Sequence, residues 1–327
     1  MLSDLISTPP TRTSVQGDAA PDDSAAIFGL LQAGRRAGVP GALLTLVDSV
    51  GGSARPVGAQ MAVLADGRFT GYLSSGCLEA ALAAEAIKQI GRRQNAILRF
   101  GAGSPFFDIR LPCGGSIDLL VDVTLTDEQV DRVADGLTRR RPISLLMGRH
   151  APARLVEGAR RTGWHEETFT RAYAPPLQIV ALGRGLEFEA VAKLAAAAGY
   201  PVQAFCPDEI CIARLAERGI RAGHLATPQT PPPLSLDADT AVILLFHDHE
   251  WETALLSQAL NSPCRYIGAM GSVRTHQQRC ERLLSAGHSL AEIDRIRGPI
   301  GLFGPTRDAS SLAISVMAEL AQITAAK

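Results

Sequence analysis

Residues 177–199 read LQIVALGRGLEFEAVAKLAAAAG, and this stretch decides the fold. A charge-free run of strand length enters Gly183-Arg184-Gly185, and an Ala-rich run then ends on Gly199. The pattern predicts strand, tight turn, helix. Glycines in such a turn let the backbone approach a phosphate, and the helix behind them offers unpaired N–H groups and the positive end of its dipole. Toward the C-terminus the pattern repeats. PVQAFC reads as a second strand, TAVILLF as a third with no polar residue after Thr240, and RYIGAM as a fourth. ICIARLAERG, residues 250–260 and ASSLAISVMAELAQI read as the helices between and after them. Apolar strands alternating with helices predict a parallel sheet covered on both faces.

The match to a dinucleotide fingerprint is incomplete. Phe188 stands where the third glycine belongs, and the second strand ends in Cys206, where a ribose-binding acid would stand; Asp208 follows two residues later. The Rossmann-like fold is therefore legible, and an NAD(P)-dependent oxidoreductase is the alternative functional reading.

Toward the N-terminus, Pro175-Pro176 marks a seam. Residues 1–23, rich in Pro, Ser, Thr and Asp, read as a flexible tail; 24–172 as a mixed α/β domain; 173–327 as the Rossmann-like domain. Within the first domain, Asp22, Asp23 and Ser24 offer caps for a helix that ends on Gly38. GALLTLVDSV reads as a buried strand, and Asp66-Gly67 as the turn of a hairpin. LEAALAAEAIKQIGRR and residues 127–141 read as helices; AILRF, SIDLLVDV and ISLLMG as strands.

Composition narrows the function classes. Lys plus Arg number 32 against 33 Asp plus Glu, and a net charge of -1 gives no reason to expect a nucleic-acid partner. No apolar run is suited to spanning a bilayer, and the first residues lack the basic-then-apolar order of a secretory signal. A cytoplasmic chain is expected. None of the six cysteines forms a C-x-x-C pair, so a zinc site is not indicated and free thiols are expected.

Several segments carry candidate chemistry. His247-Asp248-His249 follows the third parallel strand, at the edge where ligands bind in such sheets. It reads either as a ligand-lining group or as a turn whose Asp248 caps the next helix. Gly268 and Gly271 form a second glycine-rich turn with Ser272 and Arg274, residue types suited to an anion. A third such loop holds Gly298, Gly301, Gly304 and Arg307. In the first domain, Gly76-Cys77 places a thiol at a helix N-terminus, which favours the thiolate that binds soft metals. Arg55 is the candidate cation to support it, and Cys113 is a second candidate thiol, before Gly114-Gly115. Packing of small residues is the competing reading for both cysteines.

In this order the motifs resemble those of the XdhC/CoxI family, accessory factors of xanthine dehydrogenase and related molybdenum hydroxylases. The resemblance rests on SARPVGAQM at residues 53–61, Gly76-Cys77-Leu78-Glu79 and Pro112-Cys113-Gly114-Gly115, then on His247-Asp248-His249, YIGAMGS at residues 266–272 and GPIGL at residues 298–302. It departs at Ser74-Ser75, where the family commonly has glycines, and at Leu186, where a histidine often follows the turn. The resemblance implies a chaperone and not a turnover enzyme. The cofactor would be the molybdenum cofactor in its molybdopterin form, with a dinucleotide form left open. Implied partners are a molybdenum hydroxylase, a cysteine desulfurase and a second copy of the chain. Arg55, Cys77, Cys113, Gly183, Gly185, His247, Asp248, Gly268, Gly271, Ser272 and Arg274 are the expected cofactor contacts, with Cys77 on the metal.

Overall fold

The computed structural model describes residues 23–51, 53–74, 76, 78–104, 114–148 and 152–325. The chain divides into two compact units between Pro175 and Pro176.

The first unit opens with helix α1 (Ser24–Arg36), capped by Asp23, whose carboxylate accepts from Ala26 N at 3.1 Å. Strands β1 (Gly41–Val50), β2 (Gln60–Leu64) and β3 (Phe69–Gly71) follow, then α2 (Glu79–Arg92), β4 (Ala96–Gly101), β5 (Ser116–Asp122) and α3 (Asp127–Thr138). Strands β6 (Ile143–Gly148), β7 (Arg154–Glu157), β8 (Gly163–His165) and β9 (Thr168–Tyr173) complete it. They build two antiparallel sheets, β3-β2-β1-β5-β4 and β7-β6-β9-β8.

The apolar run of β1 follows from its position. Ala42, Leu44 and Leu46 join a core with α2, while Leu43 and Val47 join one with α1 and α3. Both faces are covered, so the polar alternation of a one-sided antiparallel strand is missing. The second sheet has the opposite character. Its strands β7 and β8 are short and carry Arg154, Glu157 and His165, so no apolar run announces them. Tyr173 still belongs to this sheet, paired with Ile143, which carries the first unit past residue 172. Its hydroxyl donates to Oε1 of buried Gln60 at 2.9 Å, and Gln60 Nε2 donates to Thr45 Oγ1 at 2.9 Å, so this buried polar chain is satisfied.

The second unit runs β10 (Gln178–Gly183), α4 (Gly185–Ala197), β11 (Val202–Cys206), α5 (Glu209–Ala216), β12 (Arg221–His224) and β13 (Thr240–Leu245). A 3-10 turn (His249–Trp251) leads into α6 (Glu252–Leu260), then β14 (Tyr266–Ala269), α7 (Val273–Ser285), α8 (Leu290–Ile293), β15 (Ile296–Arg297) and α9 (Ala309–Ala325). All six strands are parallel, in the order β12-β11-β10-β13-β14-β15. The expected Rossmann-like architecture is thus present, with β12 and β15 in addition to the four strands read from the sequence. RAGH and a two-residue strand lack the apolar run that marks the others. Alternate residues of the buried β13 feed two cores. Ala241, Ile243 and Leu245 meet α4 and α9, while Val242 and Leu244 meet α6 and α7.

Candidate functional site

In this sheet the chain leaves β10 toward one side and β13 toward the other. The strand order reverses between them, and such a switch point opens a crevice at the carboxyl ends of the strands. Gly183 pairs with Leu245 and Leu244 with Ala269, so the segments after β10, β13 and β14 all emerge at this edge. Gly183, Gly185, His247, Asp248, Gly268, Gly271 and Ser272 lie there together.

A cleft of about 700 Å³ opens at the same edge, within the size range of small-molecule sites. His247, Gly271 and Ser272 line it; Gly183, Gly185, Asp248, Gly268 and Arg274 do not. Gly183 is a packing residue, since a Cβ there would stand 2.6 Å from the Leu245 carbonyl oxygen. A Cβ at Gly268 would stand 2.6 Å from Tyr266 and Ile300. Asp248 caps the 3-10 turn, accepting from Glu250 N at 3.0 Å, and pairs with Arg184 at 3.7 Å. Arg274 is exposed on α7, whereas its neighbours Val273 and Thr275 face the cleft.

The apolar floor comes from Phe246, Met270, Ile300 and Leu312. The 299–308 loop supplies one wall, including Arg307 and Asp308. That loop is anchored from α9. Glu319 accepts from Gly301 N at 2.8 Å and from the Tyr266 hydroxyl at 2.6 Å. The fully buried Ser315 accepts from Phe303 N at 2.9 Å and donates to Phe303 O at 2.6 Å. Burial, then the neighbouring Glu319 carboxylate, pushes the Tyr266 phenol well above its usual range and keeps it a donor.

Two features go beyond the motifs read from the sequence. Glu187, in the first turn of α4, stands 3.7 Å from His247 and places a carboxylate at the helix end where a pyrophosphate would bind. Its signal was present, as an acid two residues past Gly185, but the glycine pattern overshadowed it. The second is an ion pair between Glu252 and Arg279, both 2% exposed, with Arg279 Nη2 also donating to Met270 O at 2.6 Å. The partners stand 27 residues apart, so no local spacing could announce them. Burial and the Arg279 charge beside it hold the His276 imidazole below its ordinary range.

The residues a dinucleotide would need are otherwise engaged. Phe188 is fully buried in the core, and Asp208 caps α5 by accepting from Ile210 N at 2.9 Å.

In the first unit, Val50 pairs with Ser116, Ser116 with Gly101, Thr45 with Gln60 and Met61 with Gly71. The loops after β1, β3 and β4 therefore leave one end of the five-stranded sheet. Arg55 lies in the first of them, its guanidinium carbon 5.9 Å from the Tyr72 ring centroid. The turn before α2 is closed by buried Glu79, which accepts from Ser74 N at 2.8 Å and Leu73 N at 3.2 Å. Cys77 and Cys113 lie outside the described residues. Cys206, Cys211 and Cys264 are buried free thiols, and burial pushes the Cys211 thiol up to about 12. Among the described residues no group of three or more His, Cys, Asp or Glu is placed to hold a metal ion, and no helix is long and apolar enough to cross a membrane.

The fold and the cleft define a two-unit α/β protein with a crevice at the switch point of a Rossmann-like sheet. Comparison with known proteins narrows that class. The family model for the XdhC Rossmann domain matches residues 179–320, and that for the XdhC and CoxI family matches residues 34–101. An Escherichia coli K12 protein, the molybdenum cofactor insertion chaperone PaoD, is 39% identical over 282 residues, spanning 86% of this chain and 82% of its own. The chain belongs to the XdhC/CoxI family. This kinship sets it with accessory factors and not with turnover enzymes. A crystal structure described as a xanthine dehydrogenase from Bacillus halodurans superposes with a TM-score of 0.70 at 20% identity, covering 92% of this chain and 96% of that one, and so shares the fold.

Proposed function

We propose that the chain carries the molybdenum cofactor as cargo, supports its sulfuration and delivers it to a xanthine dehydrogenase or aldehyde oxidase-type molybdenum hydroxylase. The observation that carries this reading is the cleft at the switch point in a relative of a named cofactor insertion chaperone. Its chemistry fits the cargo. The apolar floor suits a flat pterin, and the α7 N-terminus, with no acid in its first turn, suits a phosphate together with Arg307. Glu187 and Asp308 oppose an anion placed beside them, which favours the α7 N-terminus for the phosphate. Molybdenum held by dithiolene sulfur accepts a thiolate, and Cys77 is the residue proposed to meet it, with Arg55 and Cys113 as further proposed contacts. The proposed setting is a cytoplasmic homodimer that meets a cysteine desulfurase and the target enzyme in turn.

The test is co-expression with cofactor synthesis intact, followed by metal analysis and fluorescence of the oxidised pterin in the purified chain. Stoichiometric molybdenum and pterin are expected. Cys77→Ser is expected to fold normally and to lower cofactor retention or activation of the target enzyme well below wild type, with Cys264→Ser as the near-neutral control. Absence of both pterin and metal from the wild-type chain overturns the reading. Full activation of the target by Cys77→Ser reduces Cys77 to a packing residue.

A further inference from the structure

The cleft wall holds a carboxylate–imidazole pair that the glycine turns do not account for. His249 opens the 3-10 turn after β13 and lines the cleft. Its Nδ1 lies 3.1 Å from Oε2 of Glu252, and its side chain remains 29% exposed. Glu252 is fixed from the other side, because Arg279 donates from Nη2 to Oε1 at 2.7 Å and from Nε to Oε2 at 3.1 Å. That guanidinium balances the carboxylate charge inside the protein. An ionised carboxylate can only accept, so the hydrogen between His249 and Glu252 sits on Nδ1. In the neutral ring this makes Nε2 an acceptor, in the way outer carboxylates set the tautomer of liganding histidines.

Of the other polar groups nearby, Ser272 is engaged within its own helix turn. Ser272 Oγ accepts from Thr275 N at 3.1 Å and lies 2.9 Å from Thr275 Oγ1. His247 stands beside Glu187 at 3.7 Å. Behind the floor, Phe246 is stacked on Trp251 with centroids 5.6 Å apart and planes 4° apart, which stiffens the segment that carries His249.

We propose that His249 Nε2 accepts a hydrogen bond from the exocyclic amino group of a planar heterobicyclic ligand, with Glu252 and Arg279 as the positioning residues that set its tautomer. The proposal rests on the cargo reading and deepens it. It fixes an orientation, with the pterin's donor edge toward His249 and its phosphate toward the α7 and Arg307 side. His249 thereby discriminates among heterocycles by their hydrogen-bond pattern and not by their charge.

The experiment titrates the full-length chain with two fluorescent probes. One is 6-hydroxymethylpterin monophosphate; the other is its lumazine counterpart, in which a carbonyl oxygen replaces the 2-amino group. Wild type is expected to prefer the pterin by about tenfold, because the lumazine sets acceptor against acceptor. His249→Ala is expected to weaken pterin binding by about tenfold and to bind the two probes alike. Glu252→Gln offers Nδ1 a donor, so the ring can present Nε2–H, and the preference is expected to shift toward the lumazine. General loosening of the site would weaken both probes and leave their ratio unchanged. An unchanged pterin-to-lumazine ratio in His249→Ala overturns this inference alone, while a wild-type chain that binds neither probe at millimolar concentration overturns the cargo reading with it.

Discussion

Two glycine turns open two helices on the same sheet edge, and they are not equivalent. After β10, Gly183-Arg184-Gly185 leads into α4, whose first turn carries Glu187. After β14, Gly271-Ser272 leads into α7, whose first turn carries no acid and is capped by the Ser272 hydroxyl. The first turn has the better-known phosphate pattern and faces a carboxylate of its own chain. The second lines the cleft. Glycine says that a backbone can come close to a ligand; the charge in the first helical turn says whether an anion is welcome there. In this chain the two signals point to different turns, and the cleft takes Gly271 and Ser272 from the second but only Glu187 from the first.

The largest effect is expected at the ion pair that holds the second turn. Arg279 donates to the Met270 carbonyl and to Glu252, with both side chains 2% exposed. Arg279→Met leaves a buried carboxylate without its partner, and should lower stability by about 3–5 kcal/mol in urea unfolding. Replacing both charges, in Glu252→Leu with Arg279→Met, should recover part of that loss. If Arg279→Met unfolds at the wild-type midpoint, the pair is not what fixes the second turn.

The first turn should respond through packing. A Cβ at residue 183 would stand 2.6 Å from the Leu245 carbonyl oxygen, which is backbone and cannot swing away. Gly183→Ala should therefore cost about 1–3 kcal/mol of stability. Binding of a pterin phosphate probe to the folded fraction should stay unchanged, because Gly183 does not line the cleft. A selective loss of probe binding with unaltered stability would reverse the comparison and make the first turn the ligand site.

How much of this was legible in the sequence depends on whether the signal was local. The four long strands of the parallel sheet were legible because each is a short apolar run of full burial, as in Thr240–Leu245. So were the helix caps at Asp23 and Asp248, where one carboxylate meets an amide two or three residues on. The second sheet of the first unit was not. Its strands β7 and β8 are short and half polar, and they exist because β6 and β9 pair with them. At the site, the sheet edge could be read from strand ends, but the choice between the turns could not. It turns on Glu187 and on the Glu252–Arg279 pair, whose partners meet only through the fold.

A smaller effect should come from removing the acid that distinguishes the first turn. Glu187→Gln takes a negative charge from the first turn of α4 while keeping side-chain size. Affinity for a pyrophosphate-bearing probe such as ADP should rise roughly two- to fivefold at low salt, the effect of about 0.3–1 kcal/mol expected for one charge at a helix end. The gain should shrink as salt is raised. No gain at low ionic strength would mean that the first turn is closed by shape, and the comparison would then rest on packing and not on charge.

The smallest effect is expected at Arg274, and it separates two arginines that the sequence presents alike. Each follows a glycine-rich turn, Gly271 in one case and Gly304 in the other. Arg274 is exposed on α7 and lies off the cleft, whereas Arg307 is on its wall. Arg274→Ala should change stability by no more than about 0.5 kcal/mol, as for an exposed side chain away from any packed feature. It should also leave retention of the pterin phosphate probe at the wild-type level. Arg307→Ala removes a charge-assisted donor of the kind worth about 1.5–3 kcal/mol, and should weaken retention at least tenfold. Isothermal titration of the two variants side by side decides between them. Should Arg274→Ala prove the weaker binder, the ligand's anionic end lies along the outer face of α7, and the 299–308 loop serves only to close the cleft.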